Sequence, residues 1–299
     1  MGGLESMLRY KADLKTLLWM LLTTTLLVAL WRAPAFSWWL YAPFLYFSIA
    51  ASIMAHNHNH VRTWKGNFLN HATDMWITLF YGYPLFAWIP THNQNHHRYN
   101  NTKPDHTHTW RFWEANSLLT LLAYPAISAF YQQPAIGGYL KSLYSRNRSQ
   151  FYVGVAQIVC LVAWVAAALL LDWRKALLYV VIPQQVSLIT VLVFNYIQHV
   201  HADEEDEWNH SRNITGPVLN FLMFNNGYHT VHHITPGLHW SLTPAEHRKV
   251  AHRIDPALNE PSILWYLVRT YLLAPFVPSL RHESMRVARQ TRGREPAAS

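Results

Sequence analysis

The feature that most limits what this chain can fold into is a set of long runs without charged residues. Residues 33–55, 151–171 and 176–197 each extend for 21 to 23 residues without an Asp, Glu, Lys or Arg. A helix of that length crosses the hydrocarbon layer of a membrane, which is about 30 Å thick. We therefore predict that each run forms a transmembrane helix.

A fourth run, residues 16–31, is equally apolar but only 16 residues long. It spans a membrane if Lys15 and Arg32 extend their side chains to opposite interfaces, which their long aliphatic stems allow. Arg32 and a second long apolar run follow directly, without the small-residue pattern of a cleavage site, so a signal peptide is not indicated. The sequence thus predicts an all-α integral membrane protein with four transmembrane helices.

The basic residues sort by side of the membrane. The chain carries a net charge of +8, and with the N-terminus inside, 21 of its 24 Lys and Arg residues fall in segments predicted to be cytoplasmic. Such an excess is typical of the inner side of membrane proteins. The cations do not form a stripe with interleaved aromatics, so nucleic acid is not expected as a partner.

Three further apolar segments are too short or too interrupted to be additional crossings. Residues 75–90 and 118–131 are broken by glycine or proline, and residues 263–277 are interrupted by Arg269. We expect them to form interfacial or half-buried helices. Residues 1–280 are predicted to be one membrane domain, and residues 281–299 a basic, mobile C-terminal tail.

Histidine is the residue that carries the chemistry. The single cysteine, Cys160, excludes disulfides within the chain, cysteine-ligated zinc and iron–sulfur clusters, so any metal must be bound by histidine or carboxylate. Four histidine groups occur, all in segments predicted to be cytoplasmic. The first comprises His56, His58 and His60; the second His92, His96 and His97; the third is His199 with Asn195; and the fourth comprises His229, His232 and His233.

The spacing within these groups favours metal binding. Residues three or four apart on a helix share a face, so His56 with His60, His92 with His96, and His229 with His232 and His233 could converge on one ion. Adjacent histidines point in different directions and could serve two ions. The first and third groups continue directly from predicted spans, which places the metal site at the cytoplasmic membrane boundary. Gly227 and Pro236 predict the limits of a short helix around the last group.

The order H-x3-H, H-x3-HH, N-x3-H, H-x2-HH across four spans resembles the membrane fatty acid desaturase family. The resemblance covers the chain from the first span to about Trp240. It implies nine histidine ligands for two ferrous ions and a water-mediated metal contact from Asn195, with no catalytic residue beyond the metal centre. The nine are His56, His60, His92, His96, His97, His199, His229, His232 and His233.

The resemblance further implies an oxidoreductase that desaturates a fatty acyl chain, with O2 as co-substrate and an external electron donor. No haem domain or cysteine cluster is fused to the chain, so a ferredoxin-like protein or a reductase is expected as that donor. A lipid or carotenoid hydroxylase or ketolase with the same histidine pattern is an alternative. Non-catalytic metal transport or storage is a second, although transport sites usually lie near the bilayer midplane.

Overall fold

The computed structural model describes residues 2–292, and most of them are helical. The N-terminal half contains helices Gly2–Met7, Lys11–Asp13, Leu14–Arg32, Trp38–His60, Asn67–Tyr81, Leu85–Ala87, Ile89–His96, His97–Tyr99 and Leu118–Arg146. The remainder contains helices Arg148–Leu171, Trp173–Ala176, Leu177–Val181, Ile182–His199, Pro217–Leu222, His229–Ile234, Thr243–Val250, Ala251–Arg253, Pro256–Leu258, Ile263–Leu267, Val268–Leu273, Pro278–Leu280 and Met285–Arg292. Two strands, Asn213–Ile214 and Asn259–Glu260, depart from the all-helical prediction, and they pair in parallel over two residues.

Four helices are long and apolar enough to cross a membrane, as the uncharged runs predict. They are Lys11–Arg32, Trp38–His60, Arg148–Leu171 and Trp173–His199, and we call them spans 1 to 4. Span 1 has 22 residues, so it exceeds the apolar run that predicted it and is long enough to cross. The segments expected to be interfacial, residues 75–90, 118–131 and 263–277, are not among the candidate spans of the described residues.

Polar side chains determine where spans 3 and 4 begin. The side chain of Asn147 accepts a hydrogen bond from the backbone N–H of Gln150 at the start of span 3. That of Asp172 accepts from Arg174 and Lys175 at the start of span 4. Such caps satisfy N–H groups that have no partner within the helix, so two spans can follow each other after a single capping residue.

The described chain divides into two compact units, and the first comprises residues up to 93 together with residues 134–191. In it, Ala50, Ala51 and Ser52 of span 2 are fully buried, and the Ser187 hydroxyl of span 4 donates to the Ser48 carbonyl at 2.8 Å. Small residues let helix backbones approach closely, which favours packing where water is absent. This hydrogen bond joins spans 2 and 4 within the unit.

A glycine is required where the helix Asn67–Tyr81 ends. Gly82 has a φ of 83°, and a Cβ there would lie 2.4 Å from the Cβ of Gln184. The Gln184 amide donates to the Leu79 carbonyl at 2.7 Å, which satisfies one of the last carbonyls of that helix. Only glycine both adopts this left-handed backbone readily and, having no Cβ, leaves room for the Gln184 side chain.

The second unit comprises residues 94–133 and the residues from 192 onward. Its core contains Leu121, Tyr124, Tyr196, Ile197, Val200, Tyr266 and Tyr271. Beside it, the fully buried Arg212 donates to the backbone carbonyls of Ile197 and Val200 and lies over the Tyr266 ring at 4.7 Å. These hydrogen bonds satisfy carbonyls near the end of span 4, where the chain leaves the helix that carries His199.

Part of the C-terminal segment is also helical. The helix Met285–Arg292 places Arg289 against Asp203 and Glu205, and Arg286 against Glu114. The predicted domain boundary at residue 280 and the mobility of residues 281–299 remain predictions. Residues 293–299 lie outside the described part of the chain.

Candidate metal centre

Three of the nine candidate ligands form a cluster in the first unit, which we call the triad. His56 and His60 lie on the last turns of span 2, and His92 lies on the π-helix Ile89–His96. Their ring centroids are 4.8 to 5.1 Å apart, and one ring nitrogen from each lies within 4.8 Å of the others. The Trp88 indole contacts the His56 and His92 rings at 5.6 and 5.1 Å, so an aromatic wall covers one side of the triad.

Four candidate ligands form a second cluster, the tetrad, in the second unit. His96, His199, His229 and His233 each offer a ring nitrogen within 4.8 Å of the others. His199 ends span 4, and His229 and His233 lie on the short helix His229–Ile234. His96, His199 and His229 are buried and His233 is half-buried. The tetrad is therefore largely sealed from water.

The nitrogen spacing in the tetrad fits a bound metal ion. The Nε2 atom of His229 lies 2.9 Å from Nε2 of His199 and 3.1 Å from Nε2 of His233. Ligand nitrogens at about 2.1 Å from a metal ion, at right angles to each other, are separated by about 3 Å. The Nε2 atom of His229 thus lies at this separation from two other nitrogens, which suits ligands that share one ion, whereas a single hydrogen bond would join only two of the three.

The imidazole of His233 is held in the form that binds metal. Burial, together with the neighbouring His97, His229, His199 and His96, lowers the pKa of His233 well below its usual value. The ring is therefore neutral at physiological pH, and a neutral imidazole keeps a lone pair for a metal ion.

The structure brings some of the predicted pairs together and separates two of them. His229 and His233, four residues apart, both belong to the tetrad. Of the adjacent pair, only His96 belongs to it, although the His96 and His97 rings both contact the His233 ring, at 4.9 and 4.6 Å. His97 contacts His232, with ring centroids 4.6 Å apart. His92 and His96 do not converge, because His92 lies in the triad and His96 in the tetrad. His232 likewise does not join His229 in the tetrad. Spacing on a helix permits two rings to meet, but partners far away in the sequence decide which rings do.

Asp105 orients a tetrad histidine, a role that the sequence reading missed. Its Oδ2 atom lies 2.7 Å from Nδ1 of His96, and both side chains are buried. Burial alone would raise the pKa of Asp105, but His96 and the Thr107 groups hold it well below its usual range, so the carboxylate is charged. A carboxylate that accepts a hydrogen bond from Nδ1–H keeps the proton on that nitrogen and leaves the Nε2 lone pair available to a metal.

Local turns bring Asp105 back to His96. Asn100 and Asn101 have φ angles of 40° and 65°, a left-handed backbone that asparagine tolerates better than most residues. The Asp105 carboxylate then accepts the N–H of Asn101 at 2.8 Å and the N–H and hydroxyl of Thr107, each at 2.7 Å. One signal was available in the sequence, because Asp105 is the only acidic residue between Asp74 and Glu114.

Asn195 lies one helical turn before His199 on span 4 and belongs to the same hydrogen-bond network. Its amide donates to the Tyr124 hydroxyl at 2.5 Å, and that hydroxyl donates to the Thr107 carbonyl at 2.6 Å. The Thr107 hydroxyl oxygen in turn lies 3.0 Å from Nδ1 of His96. Because Asn195 and His96 share this network, Asn195 has a fixed orientation beside the tetrad.

Several histidines outside the nine contact other groups. His58 and His71 lie 3.2 and 3.3 Å from the buried Asp74, and the Nε2 atom of His201 lies 2.9 Å from the Glu114 carbonyl. His210 is buried, its ring centroid is 5.5 Å from that of His233, and its backbone carbonyl lies 3.3 Å from Nδ1 of His199. Burial lowers the pKa of His210 to about 4, so its ring is neutral.

The acidic run 203–207 contacts an arginine and the backbone of its own loop. Both carboxylate oxygens of Asp203 lie 2.8 Å from Nε of Arg289, and Glu205 contacts the same guanidinium. The side chain of Asp206 accepts the N–H groups of Trp208 and Asn209. The run therefore binds an arginine and its own loop.

The donor set is compatible with a transition metal. The metal-binding groups found among the described residues contain only histidine, and imidazole nitrogen suits iron, zinc and copper. These residues fit the metal centre that the histidine pattern predicts, although nitrogen donors alone do not select the element.

The comparisons with known proteins place the chain in a family. A family model described as fatty acid desaturase matches residues 29–265, more than three-quarters of the 299-residue chain. The matched region includes all nine candidate ligands and Asn195. No curated protein and no solved structure gives a match. The chain therefore belongs to the fatty acid desaturase family.

Proposed function

We propose that this protein desaturates a fatty acyl chain, using O2 and two iron ions bound by the nine histidines. The observation that carries the proposal is the tetrad, in which three buried imidazoles and one half-buried imidazole converge at metal-ligand spacing within a chain of the fatty acid desaturase family. When bound, the two irons supply the O2 chemistry that removes hydrogen from an unactivated carbon. The protein itself supplies placement and shielding.

The described residues divide that task. His199, His229 and His233 present Nε2 toward one another, and Asp105 fixes the ring orientation of His96. Burial keeps water away from the tetrad, which protects a reactive site from side reactions. Asn195, held by Tyr124, is proposed to position a water molecule that binds metal.

Two partners and a location complete the proposal. Spans 2 and 4 are both even-numbered crossings, so each would deliver its histidines to the same side of a membrane, which we propose to be the cytoplasmic side. The substrate is an acyl-chain lipid within that membrane. Two electrons per turnover come from an external ferredoxin-like protein or reductase.

Feeding a perdeuterated fatty acid to a host that expresses the full chain would test the reaction. Desaturation removes two deuterium atoms from adjacent carbons and adds no oxygen, whereas hydroxylation removes one deuterium and adds one oxygen atom. Mass spectrometry of the extracted lipids separates these products. We expect the first pattern, and an oxygenated product without a new double bond would reassign the protein as a hydroxylase or ketolase.

Variants connect the product to the histidines. His96→Ala removes a buried tetrad ligand, so we expect no product and less than two irons per purified chain. His252→Ala is the matched control, because His252 is exposed and lies outside the triad and the tetrad. Wild-type activity in His96→Ala would refute the assignment. Protein that binds metal reversibly and yields no lipid product would favour transport or storage.

A further inference from the structure

One face of the helix Leu118–Arg146 is exposed although it is apolar. Between residues 118 and 131, the exposed positions Leu119, Leu122, Ala126 and Phe130 recur at intervals of three or four residues, so they form one stripe. Leu119, Leu122 and Phe130 are 70, 68 and 71 % exposed. The stripe faces away from the core of the second unit.

A second stripe with the same character lies near the C-terminus. Leu264, Leu272 and Phe276 are 69, 56 and 85 % exposed, and they follow one another at intervals of eight and four residues. They belong to the apolar helix Ile263–Leu273 and to the turn that follows it. At 11 residues this helix is too short to cross a hydrocarbon layer of about 30 Å.

The inward faces of both segments carry the polar groups. The Asn116 amide donates to the Tyr266 hydroxyl at 3.0 Å, and the Tyr271 hydroxyl donates to Oδ1 of Asn116 at 2.8 Å. The Thr120 and Tyr196 hydroxyl oxygens lie 2.8 Å apart. Hydrogen-bonded hydroxyl groups thus lie inside, within the apolar core of the unit. Large aliphatic and aromatic side chains also cover the outside, unlike the polar surface that is usual in a water-soluble protein.

We propose that this surface, formed by Leu119, Leu122, Phe130, Leu264, Leu272 and Phe276 and called here the leaflet face, is inserted into the hydrocarbon of one membrane leaflet. The partner is the lipid itself. Exposed apolar patches of this kind mark interaction sites. An amphipathic helix that is too short to span a bilayer can lie in the plane of the interface, with its apolar face buried at the boundary between headgroups and acyl chains.

The two segments that carry the leaflet face pack against the same core as a candidate membrane span. Leu192 and Val193 of span 4 pack against the same core that holds the two segments together. The edges carry side chains typical of a membrane interface: Trp113 and Trp265 are about half exposed, and Arg111 lies over the Tyr131 ring at 3.8 Å. The inference is independent of the proposed reaction, because it concerns how the chain meets the bilayer.

Spin labels at single cysteines in liposomes would measure the depth of this surface. The only native cysteine is Cys160, in span 3, so Cys160→Ser provides a cysteine-free background and labelled Cys160 a membrane reference. Labels are attached to Leu122→Cys, Leu264→Cys and Phe276→Cys, with Lys103→Cys and Arg248→Cys as exposed polar controls in the same unit. Collisions of each label with O2, which concentrates in lipid, and with a water-soluble nickel chelate are then compared.

We expect an oxygen-to-nickel collision ratio at the three leaflet positions that approaches the ratio at Cys160 and is several-fold above that at Lys103 and Arg248. A ratio equal to that of the polar controls would overturn the proposal. Labels shielded from both reagents and broadened by a neighbouring label would overturn it in favour of contact with a second copy of the chain.

A second measurement needs no substitution. Wild-type protein is reconstituted with a phospholipid that carries a photoactivatable carbene in its acyl chain, and the labelled peptides are mapped by mass spectrometry. We expect labels in residues 118–131 and 263–277 as well as in spans 1 to 4. Labels confined to the spans would contradict the insertion.

Discussion

The Nδ1 atom of His96 lies 2.7 Å from Oδ2 of Asp105, with both side chains buried. This contact fixes which nitrogen of a proposed metal ligand carries the proton, and it adds a negative charge beside the tetrad. It joins two residues nine positions apart that the sequence pattern did not connect. The first prediction depends on it.

Asp105→Asn should weaken metal binding without removing a ligand. The amide has about the same volume as the carboxylate but carries no charge. Its NH2 group would face hydrogen-bond donors that, in the wild type, donate to a carboxylate oxygen. Loss of such a partner typically lowers metal affinity about 10- to 100-fold. Competition with a chelator during purification measures the change. Glu246→Gln, which changes a partly exposed carboxylate paired with Lys249, is the control and should retain wild-type affinity.

Metal removal should destabilise the protein. Ions that bind only the folded state add stability, about 2.7 kcal/mol when the free ion is at a hundred times its Kd. A strong chelator should therefore lower the thermal unfolding temperature of the wild type. In His229→Ala, whose Nε2 contacts both His199 and His233, the chelator should have a smaller effect. An equal shift in both proteins would mean that the tetrad binds no stabilising ion.

The spans could be predicted from the sequence because membrane crossing is a local property of length and polarity. The apolar runs predicted four spans, and the structure has four helices that meet the same requirement. The helices extend beyond the uncharged runs to His60 and His199, so the histidines lie on their last turns. The length of an uncharged run therefore predicts that a span is present, but it does not predict the residue at which the helix ends.

The grouping of the histidines could not be predicted, because it depends on contacts between distant residues. His96 lies near His199 and His233, more than a hundred positions away, while the closer His92 belongs to the triad. The anchoring of the helix Met285–Arg292 by Asp203 and Glu205 is equally non-local. A basic segment and an acidic run each look solvated until the fold brings them together.

Gly227→Ala should disturb the helix that carries His229. A Cβ at Gly227 would lie 2.0 Å from the Ile214 carbonyl oxygen, which belongs to the backbone and cannot turn aside. Overpacking of this kind costs about 1–3 kcal/mol, so we expect a lower unfolding temperature and reduced metal content. Gly237→Ala, where no atom lies within 4 Å of the added Cβ, should leave both unchanged. Equal behaviour of the two variants would contradict this account.

Glu204 should make stability fall as pH rises. Its side chain is 4 % exposed, its Oε1 lies 3.8 to 3.9 Å from Arg286 and Arg289, and both guanidinium groups have closer acidic partners. Burial raises the pKa of Glu204 from 4.5 to about 7. The folded chain therefore binds the Glu204 proton more tightly than the unfolded chain. The stability contributed by this proton is present below pH 4.5 and is lost as the pH rises to about 7.

Glu204→Gln should remove that pH dependence. The amide resembles the protonated acid at every pH. Between pH 4.5 and 7, the free energy of unfolding of the variant should therefore rise relative to that of the wild type by at most about 3 kcal/mol. Thermal unfolding of both proteins across this range measures the difference. The exposed Glu246→Gln should follow the wild-type slope. Parallel curves for Glu204→Gln and the wild type would rule out a raised pKa at this site.

Arg289→Ala should release the helix Met285–Arg292. The Nε atom of Arg289 lies 2.8 Å from both oxygens of Asp203, whose side chain is 8 % exposed, and the same guanidinium contacts Glu205. A partly exposed ion pair of this kind contributes about 1 kcal/mol, so amides of residues 285–292 should exchange with deuterium about fivefold faster in the variant. Arg292→Ala is the matched control, because Arg292 is exposed on the same helix. Unchanged exchange in Arg289→Ala would mean that other contacts, such as that of Arg286 with Glu114, hold the helix in place.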